Sequence, residues 1–199
     1  MSAAGKVITG FSKPYVALYG TSTSQGATTV AYEDGTILAR GVSASLDVTS
    51  SDDNIFHADN VDAESAGGIF GGGTLTLTVD GLKQTAERLI LGLPEADTNG
   101  FVHYGDAMSI PYVGIGFIIR YMSDGATTYT PVVFRKAKFA TPGLEAATQE
   151  EDIDWQTQEL TATLFRDDTA THDWKWVGGD EATEAAAEAK LRTALNIAA

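Results

Sequence analysis

The sequence predicts a mainly β protein of 199 residues, folded as one domain with a flanking α-helix, a long extended arm and a C-terminal helix. Three observations carry this. Several stretches alternate apolar with polar residues, the two-residue period of a half-buried strand. Asp-Gly pairs separate such stretches at Glu33-Asp34-Gly35-Thr36 and Ser123-Asp124-Gly125-Ala126, as hairpin turns require. Only two stretches place apolar residues at helical steps of three and four.

Taken in order, residues 21–29 are rich in Ser, Thr, Gly and Gln and read as a mobile loop. Residues 29–32 and 37–40 read as strands on either side of the first Asp-Gly turn. Residues 49–73 have weak periodicity and end in Gly67-Gly68 and Gly71-Gly72-Gly73. So long a stretch without clear elements is uncommon in a compact domain unless it has a job. Its apolar residues Ile55, Phe56, Val61, Ile69 and Phe70 suggest a glycine-bounded arm, spanning 47–73, that packs on another subunit. Leu75, Leu77 and Val79 alternate with Thr74, Thr76 and Thr78, giving a strand with one apolar face.

The first helix is expected over 82–92. Leu82, Ala86, Leu89, Ile90 and Leu93 share a face, Asp80 suits the N-cap, Gly92 suits the C-terminal turn, and Pro94 stops continuation. Val113, Ile115, Phe117, Ile119 and Tyr121 form the next stripe, with Gly114 and Gly116 opposite leaving room for close packing or a bulge. Residues 128–139 resume the pattern after the second Asp-Gly turn. Leu160, Ala162 and Leu164 alternate with Glu159, Thr161 and Thr163. Residues 172–199 read as an appendage, with a short strand placing Trp174 and Trp176 on one face and a helix over 181–196. In that helix Ala187, Leu191, Ala194, Leu195 and Ala198 share a face. Asp180, Glu181 and Glu184 load its start and Lys190 and Arg192 its end, as the dipole favours, with Glu188 and Arg192 as an i,i+4 pair.

Thirteen Lys plus Arg stand against 27 Asp plus Glu, a net charge of −14, and there is no cysteine. Disulfides, thiolate metal sites and Cys nucleophiles are thereby excluded. The charge opposes nucleic-acid wrapping and binding to anionic lipid. No run approaches the eighteen or so apolar residues of a membrane helix, and the start lacks an apolar signal core. The acids concentrate. Asp47, Asp52, Asp53, Asp59, Asp62 and Glu64 form one run without a cation; Glu145, Glu150, Glu151, Asp152, Asp154 and Glu159 form another. Arg120, Arg135, Lys136 and Lys138 fall in strand patterns and read as a solvent face or an edge guard.

No catalytic constellation stands out. His57 with Asp59 and Asp62, or His103 with Asp106, has the atoms for a metal but reads as solvated loop. The glycine pairs lack the Gly-Lys-Ser/Thr of a phosphate loop, and no Gly-x-Ser-x-Gly elbow occurs. Asp52-Asp53 and Asp152 with Asp154 are paired carboxylates of the kind a glycosidase uses, but no aromatic-rich groove accompanies them. The expectation is a non-enzyme without cofactor or metal.

Four ordered segments together carry a family resemblance. They are Gly10-Phe11-Ser12-Lys13-Pro14-Tyr15-Val16-Ala17; Ser50-Ser51-Asp52-Asp53-Asn54-Ile55-Phe56-His57-Ala58-Asp59-Asn60; Gly72-Gly73-Thr74-Leu75-Thr76-Leu77-Thr78-Val79-Asp80-Gly81-Leu82 with Glu87-Arg88-Leu89-Ile90-Leu91-Gly92-Leu93-Pro94; and Pro111-Tyr112-Val113-Gly114-Ile115-Gly116-Phe117-Ile118-Ile119-Arg120-Tyr121-Met122. The set resembles the phi13-type major tail proteins of long-tailed, non-contractile bacteriophages, over roughly residues 10–165. The resemblance implies a tail-tube-type β-sandwich or partly closed barrel, with hexameric rings stacked into a tube that conducts DNA without binding it. It implies self-association, tape measure, tail terminator and distal tail proteins as partners, no membrane, and a place in the virion tail after assembly in the host cytoplasm.

On that reading the 47–73 arm, with Asp52, Asp53, Ile55, Phe56, Asp59, Val61, Ile69 and Phe70, reaches the neighbouring ring. Asp62, Glu64, Asp152, Asp154 and Glu159 are candidates for a phosphate-repelling lumen. The lumen sheet comes either from 113–122 with 128–139 or from the strands around Leu75 and Leu160. Alternatives are a soluble ligand-binding β-barrel with Trp155, Trp174 and Trp176 in its pocket, and a capsid-decoration or secretion-system structural protein.

Overall fold

The computed structural model describes residues 5–24, 26–50, 54–58, 61–66, 69–106, 108–148 and 155–198; for 54–58 and 61–66 it describes the backbone alone. The chain runs β1 (Val7–Ser24), β2 (Ala27–Ile37), β3 (Gly41–Ser50), β4 (Asn54–Ala58), β5 (Val61–Ala66), β6 (Phe70–Val79), α1 (Gln84–Leu91), β7 (Val113–Ser123), β8 (Ala126–Phe139), β9 (Gln158–Phe165), β10 (Lys175–Val177) and α2 (Glu184–Ala194). The protein is mainly β, as expected. One antiparallel sheet has the order β2-β1-β7-β8-β9-β6-β3, with β10 also on β8, and β4 pairs only with β5 in a sheet of its own.

The sheet curls but is not a closed barrel. Its far strand β3 comes back against β1, where the Phe11 ring sits over Gly41 so closely that a Cβ there would lie 2.0 Å from Phe11 Cε1. The end strands β2 and β3 have no ladder between them among the described residues. Inside the curl lies the main core. Leu75, Leu77 and Val79 of β6 meet Ile115 and Phe117 of β7, Phe134 and Phe139 of β8, and Leu160, Ala162 and Leu164 of β9. Each set is every second residue except on β8, where Val113 pairs with Ala137 but Ile115 with Phe134. That slip is a bulge, and it puts Phe134 and Ala137 on the same side.

The second Asp-Gly pair makes the expected hairpin: Ser123 pairs with Ala126, and Asp124 and Gly125 take φ 49° and 77°, the double positive φ of a type I′ turn. The first pair does not. β2 runs unbroken through Glu33-Asp34-Gly35-Thr36, and the β1–β2 register slips between Val16 and Leu18. Asp34, at φ 51°, is the extra residue of a bulge. Both bulge and turn need a positive φ, so the local chemistry is shared and only the pairing partner decides. Likewise the supposed loop at 21–29 is a hairpin tip, paired to Ser24–Ala27.

Helix α1 lies close to the expected place and buries Ala86, Ile90 and Leu91, with Leu82 and Leu89 partly buried and Leu93 in the core. Gly92 ends it at φ 62°, and a Cβ there would lie 2.0 Å from Ser109 O. Asp80 is not the N-cap. The cap position is Lys83, without a side-chain bond, while Asp80 accepts from the backbone N–H and the Nε of Arg40.

The C-terminal helix is not an appendage. It covers the outer face of β7 and β8, where Ala187, Leu191 and Leu195 form a second core with Tyr15, Ala17, Tyr32, Ile118 and Val133. This explains Gly114 and Gly116. A Cβ at Gly116 would lie 2.4 Å from Leu191 Cδ1, and one at Gly114 would lie 3.0 Å from Leu195 Cδ2. The helix is capped by Thr183, whose Oγ1 accepts from the Ala186 N–H. Glu188 does not pair with Arg192 as an i,i+4 partner; it accepts from Lys13 and from Tyr15 Oη.

Candidate assembly surfaces

Strands β3, β6 and β9 turn one face inward to the core and one outward. Across the outward face the register aligns Ser43 with Thr78 and Glu159, Ser45 with Thr76 and Thr161, and Asp47 with Thr74 and Thr163, the last row reaching Lys138 on β8. Ser43 Oγ donates to Thr78 Oγ1 at 2.9 Å. None of these side chains is buried. The result is a hydroxyl-rich platform carrying Asp47 and Glu159 against one cation, Lys138. The corresponding face of β7 and β8 is closed by α2.

β3 is the outer strand of this platform, exposed along almost its whole length. It contains no Lys, Arg or Pro, the usual guards against edge-to-edge pairing. Val42, Leu46 and Val48 on it are 55, 37 and 41% exposed. Between β3 and β1 a cavity of about 270 Å³ opens, lined by Phe11, Leu46, Phe117, Tyr121, Phe134 and Val177 among others.

The arm is a hairpin extension rather than an irregular loop. β4 and β5 pair from Asn54 with Ala66 to Ala58 with Val61, and they grow out between β3 and β6. Ile55, Phe56, Val61, Asp62 and Glu64 lie on these two strands, of whose side chains nothing is described. Asp52, Asp53, Asp59, Asp152 and Asp154 fall outside the described residues. Ile69 is 60% exposed at the foot of the arm. Phe70 belongs to the body: its ring stacks on Trp174 at 4.4 Å and 8°, and its carbonyl accepts from Arg166 Nε. Of the adjacent glycines, Gly72 pairs with Thr49 and Gly73 is held on both sides. Gly73 is paired with Val48 and Leu164, and a Cβ there would lie 2.9 Å from Asp47 O.

The tryptophans do not share a pocket. Trp174 stacks on Phe70 in the main core, Trp176 lies over Arg135 on the other side of the sheet, and Trp155 is 81% exposed. Residue 174 precedes the short strand β10, so the two-residue alternation expected of Trp174 and Trp176 does not hold.

Arg135 is neither a solvent-face nor an edge cation; it is 5% exposed on a central strand. Its Nε and Nη2 donate to Asp167 Oδ2 at 3.0 and 2.9 Å, and its guanidinium lies 3.6 Å from the Trp176 ring centroid. Asp167 Oδ1 accepts from Thr169 Oγ1 at 2.6 Å, and the Tyr32 hydroxyl donates to the Arg135 carbonyl at 2.8 Å. Burial pushes the Tyr32 phenol well above its ordinary value. Alternation predicts the outward direction of Arg135 but not that Asp167, 32 residues away, meets it there. Next to it Lys136 pairs with Asp168 at 2.7 Å and lies over Tyr19 and Tyr112. Burial raises Tyr19 to about 12, and the Lys136 bond holds the Asp168 carboxyl below the usual range.

His103 pairs with Asp97 at 3.1 Å rather than with Asp106. Among the described residues no three His, Asp or Glu side chains converge as metal ligands. No protein-family model matches the chain, and no curated protein matches it.

Proposed function

We propose that this chain is a structural protein of a phage tail tube, assembling as hexameric rings that stack into a conduit for DNA. The observation that carries the reading is the outward face of β3, β6 and β9, which no helix covers among the described residues. It is polar, hydroxyl-rich and bordered by an unguarded edge strand. Of the two strand pairs that could line a channel, 113–122 with 128–139 has its outer face under α2, whereas the pair around Leu75 and Leu160 presents Thr and Ser outward. A duplex meeting that face would find one lysine against two carboxylates, too little cation for counterion-releasing contacts. The edge groups of β3 suit a strand of the next subunit, since open ladders pair readily.

The hairpin arm grows from between the two platform strands β3 and β6, so its reach is tied to the lining and it suits contact with the next ring. Its acids and Glu159 add negative charge to the assembly. The partners would be further copies of the chain, with tape measure, terminator and distal tail proteins at the ends, in the virion tail.

Deleting residues 54–68 is expected to leave a folded chain that forms no stacked assemblies. Sedimentation velocity at high protein concentration checks it, with circular dichroism confirming the β signal. Assemblies as large as those of the intact chain would contradict the arm's role.

A further inference from the structure

We propose that residues 180–198 form a clasp, hinged at Gly179, that lifts off the sheet as one unit when its carboxylates are protonated. The apolar contact beneath the clasp is short in sequence: Ala187, Leu191 and Leu195 are its buried side chains, seated over Gly114 and Gly116, with Ala194 and Ile197 partly buried beside them and Ile197 over Gly35. The remaining hold is polar, most of its side-chain bonds running in a line to β1, with Asn196 Nδ2 donating to the Tyr32 carbonyl of β2 at 2.9 Å. Lys6 Nζ donates to both Asp180 oxygens at 2.6 Å, and Thr130 Oγ1 of β8 donates to Asp180 Oδ1 at 2.5 Å. Ser12 Oγ bonds Glu184 Oε1 at 2.5 Å. Lys13 pairs with Glu188, and Tyr15 Oη donates to Glu188 Oε1 at 2.6 Å.

The backbone is shaped for this hold. The β1–β7 register slips between Ser12 and Tyr15, and Lys13 stands at φ 51°, a region that non-glycine residues rarely occupy. The bulge adds a residue to β1 where Ser12, Lys13 and Tyr15 all reach α2. The fourth acid, Glu181, pairs within the unit with Lys190, and the backbone of Glu181 meets Tyr129 of β8. Other charged or titratable groups near the line are Arg192 on α2, which acts on Glu188, and Tyr121 of β7, under Lys6. Gly178 is anchored to β8, its N–H donating to the Pro131 carbonyl at 2.8 Å, so the hinge is Gly179, which has open space around it.

Bonds from Lys6 and Lys13 hold the carboxyls of Asp180 and Glu188 below their ordinary range. A carboxylate lowered in the folded state stabilises fully above its unfolded value, about 4, and that contribution is lost as the pH falls through the lowered value. The clasp therefore opens on acidification, and it uncovers Tyr15, Ala17, Ile118 and Val133. This inference rests on the packing of α2 and not on the tube reading.

The test is hydrogen exchange by mass spectrometry on the full chain, with rates corrected for intrinsic pH dependence. At pH 7 the double variant Asp180→Asn, Glu188→Gln is expected to raise exchange in 184–197 about tenfold or more, while β7 and β9 keep wild-type rates. Acidifying the wild type below about pH 4 should raise exchange progressively in the same residues as the pH approaches the lowered values. Lys13→Met alone should give a smaller rise confined to the same residues. If 184–197 exchange in step with β7 and β9, including by unfolding of the whole chain, or stay unchanged in the double variant, the clasp is overturned.

Discussion

Replacing Asp167 by alanine is expected to destabilise the fold by about 3–5 kcal/mol, the usual cost of removing one partner from a buried ion pair. The Asp167 side chain is fully buried and that of Arg135 is 6% exposed, so the guanidinium left behind would have neither water nor counter-charge. Its stacking on Trp176 offsets only part of this, since cation–π contacts contribute about 0.5–2 kcal/mol. The substitution also strips Thr169 of its hydroxyl acceptor. Urea denaturation followed by tryptophan fluorescence reads the change as a shift in midpoint. The double variant Arg135→Met, Asp167→Leu is expected to recover most of the loss, because it removes both charges and keeps apolar volume. A double variant no better than Asp167→Ala would mean that the pair itself, and not its desolvation, dominates.

Phe134→Ala is the second large effect, about 3–5 kcal/mol. Phe134 is 1% exposed and sits between Phe117, at 5.7 Å between centroids, and Trp174, at 6.4 Å. Trp174 in turn stacks on Phe70, which begins β6. Removing the ring leaves a hole where β7, β8, β6 and the approach to β10 meet, and backbone pairing on both sides of β8 resists collapse into it. The same urea titration should show a lower midpoint with an unchanged slope. A loss below about 1 kcal/mol would mean that the neighbouring rings repack into the space.

The parts of the fold legible in the sequence are those written in local periods. Leu75, Leu77 and Val79 against three threonines give both the strand and its two faces, and the same holds for Leu160, Ala162 and Leu164. Helix α1 and its glycine stop are legible because capping and the step of three or four are local as well. Non-local pairing is what escaped. The same Asp-Gly chemistry makes a turn at Asp124 and a bulge at Asp34, and only the partner strand distinguishes them. β1 is interrupted by bulges between Ile8 and Gly10 and between Ser12 and Tyr15, which breaks the two-residue alternation that would have revealed it.

The helix α2 carries a readable apolar face, but its place on the sheet depends on Gly114 and Gly116, some 70–80 positions earlier. Those two glycines were the available signal, since paired glycines opposite an apolar stripe call for something bulky to sit on them. The platform was half visible. The threonines of β6 and β9 are evident from sequence, whereas their alignment with Ser43, Ser45 and Asp47 needs the register. Arg135 shows the limit most clearly, because a cation in a strand pattern looks like surface until its carboxylate is found.

The tube reading is tested most directly by electron microscopy of the purified, concentrated chain without any partner. It predicts rings and stacked tubes with an open channel, and averaging should place β3, β6 and β9 around that channel with α2 away from it. Dispersed monomers at every concentration tried, or tubes whose channel is lined by α2, would contradict it.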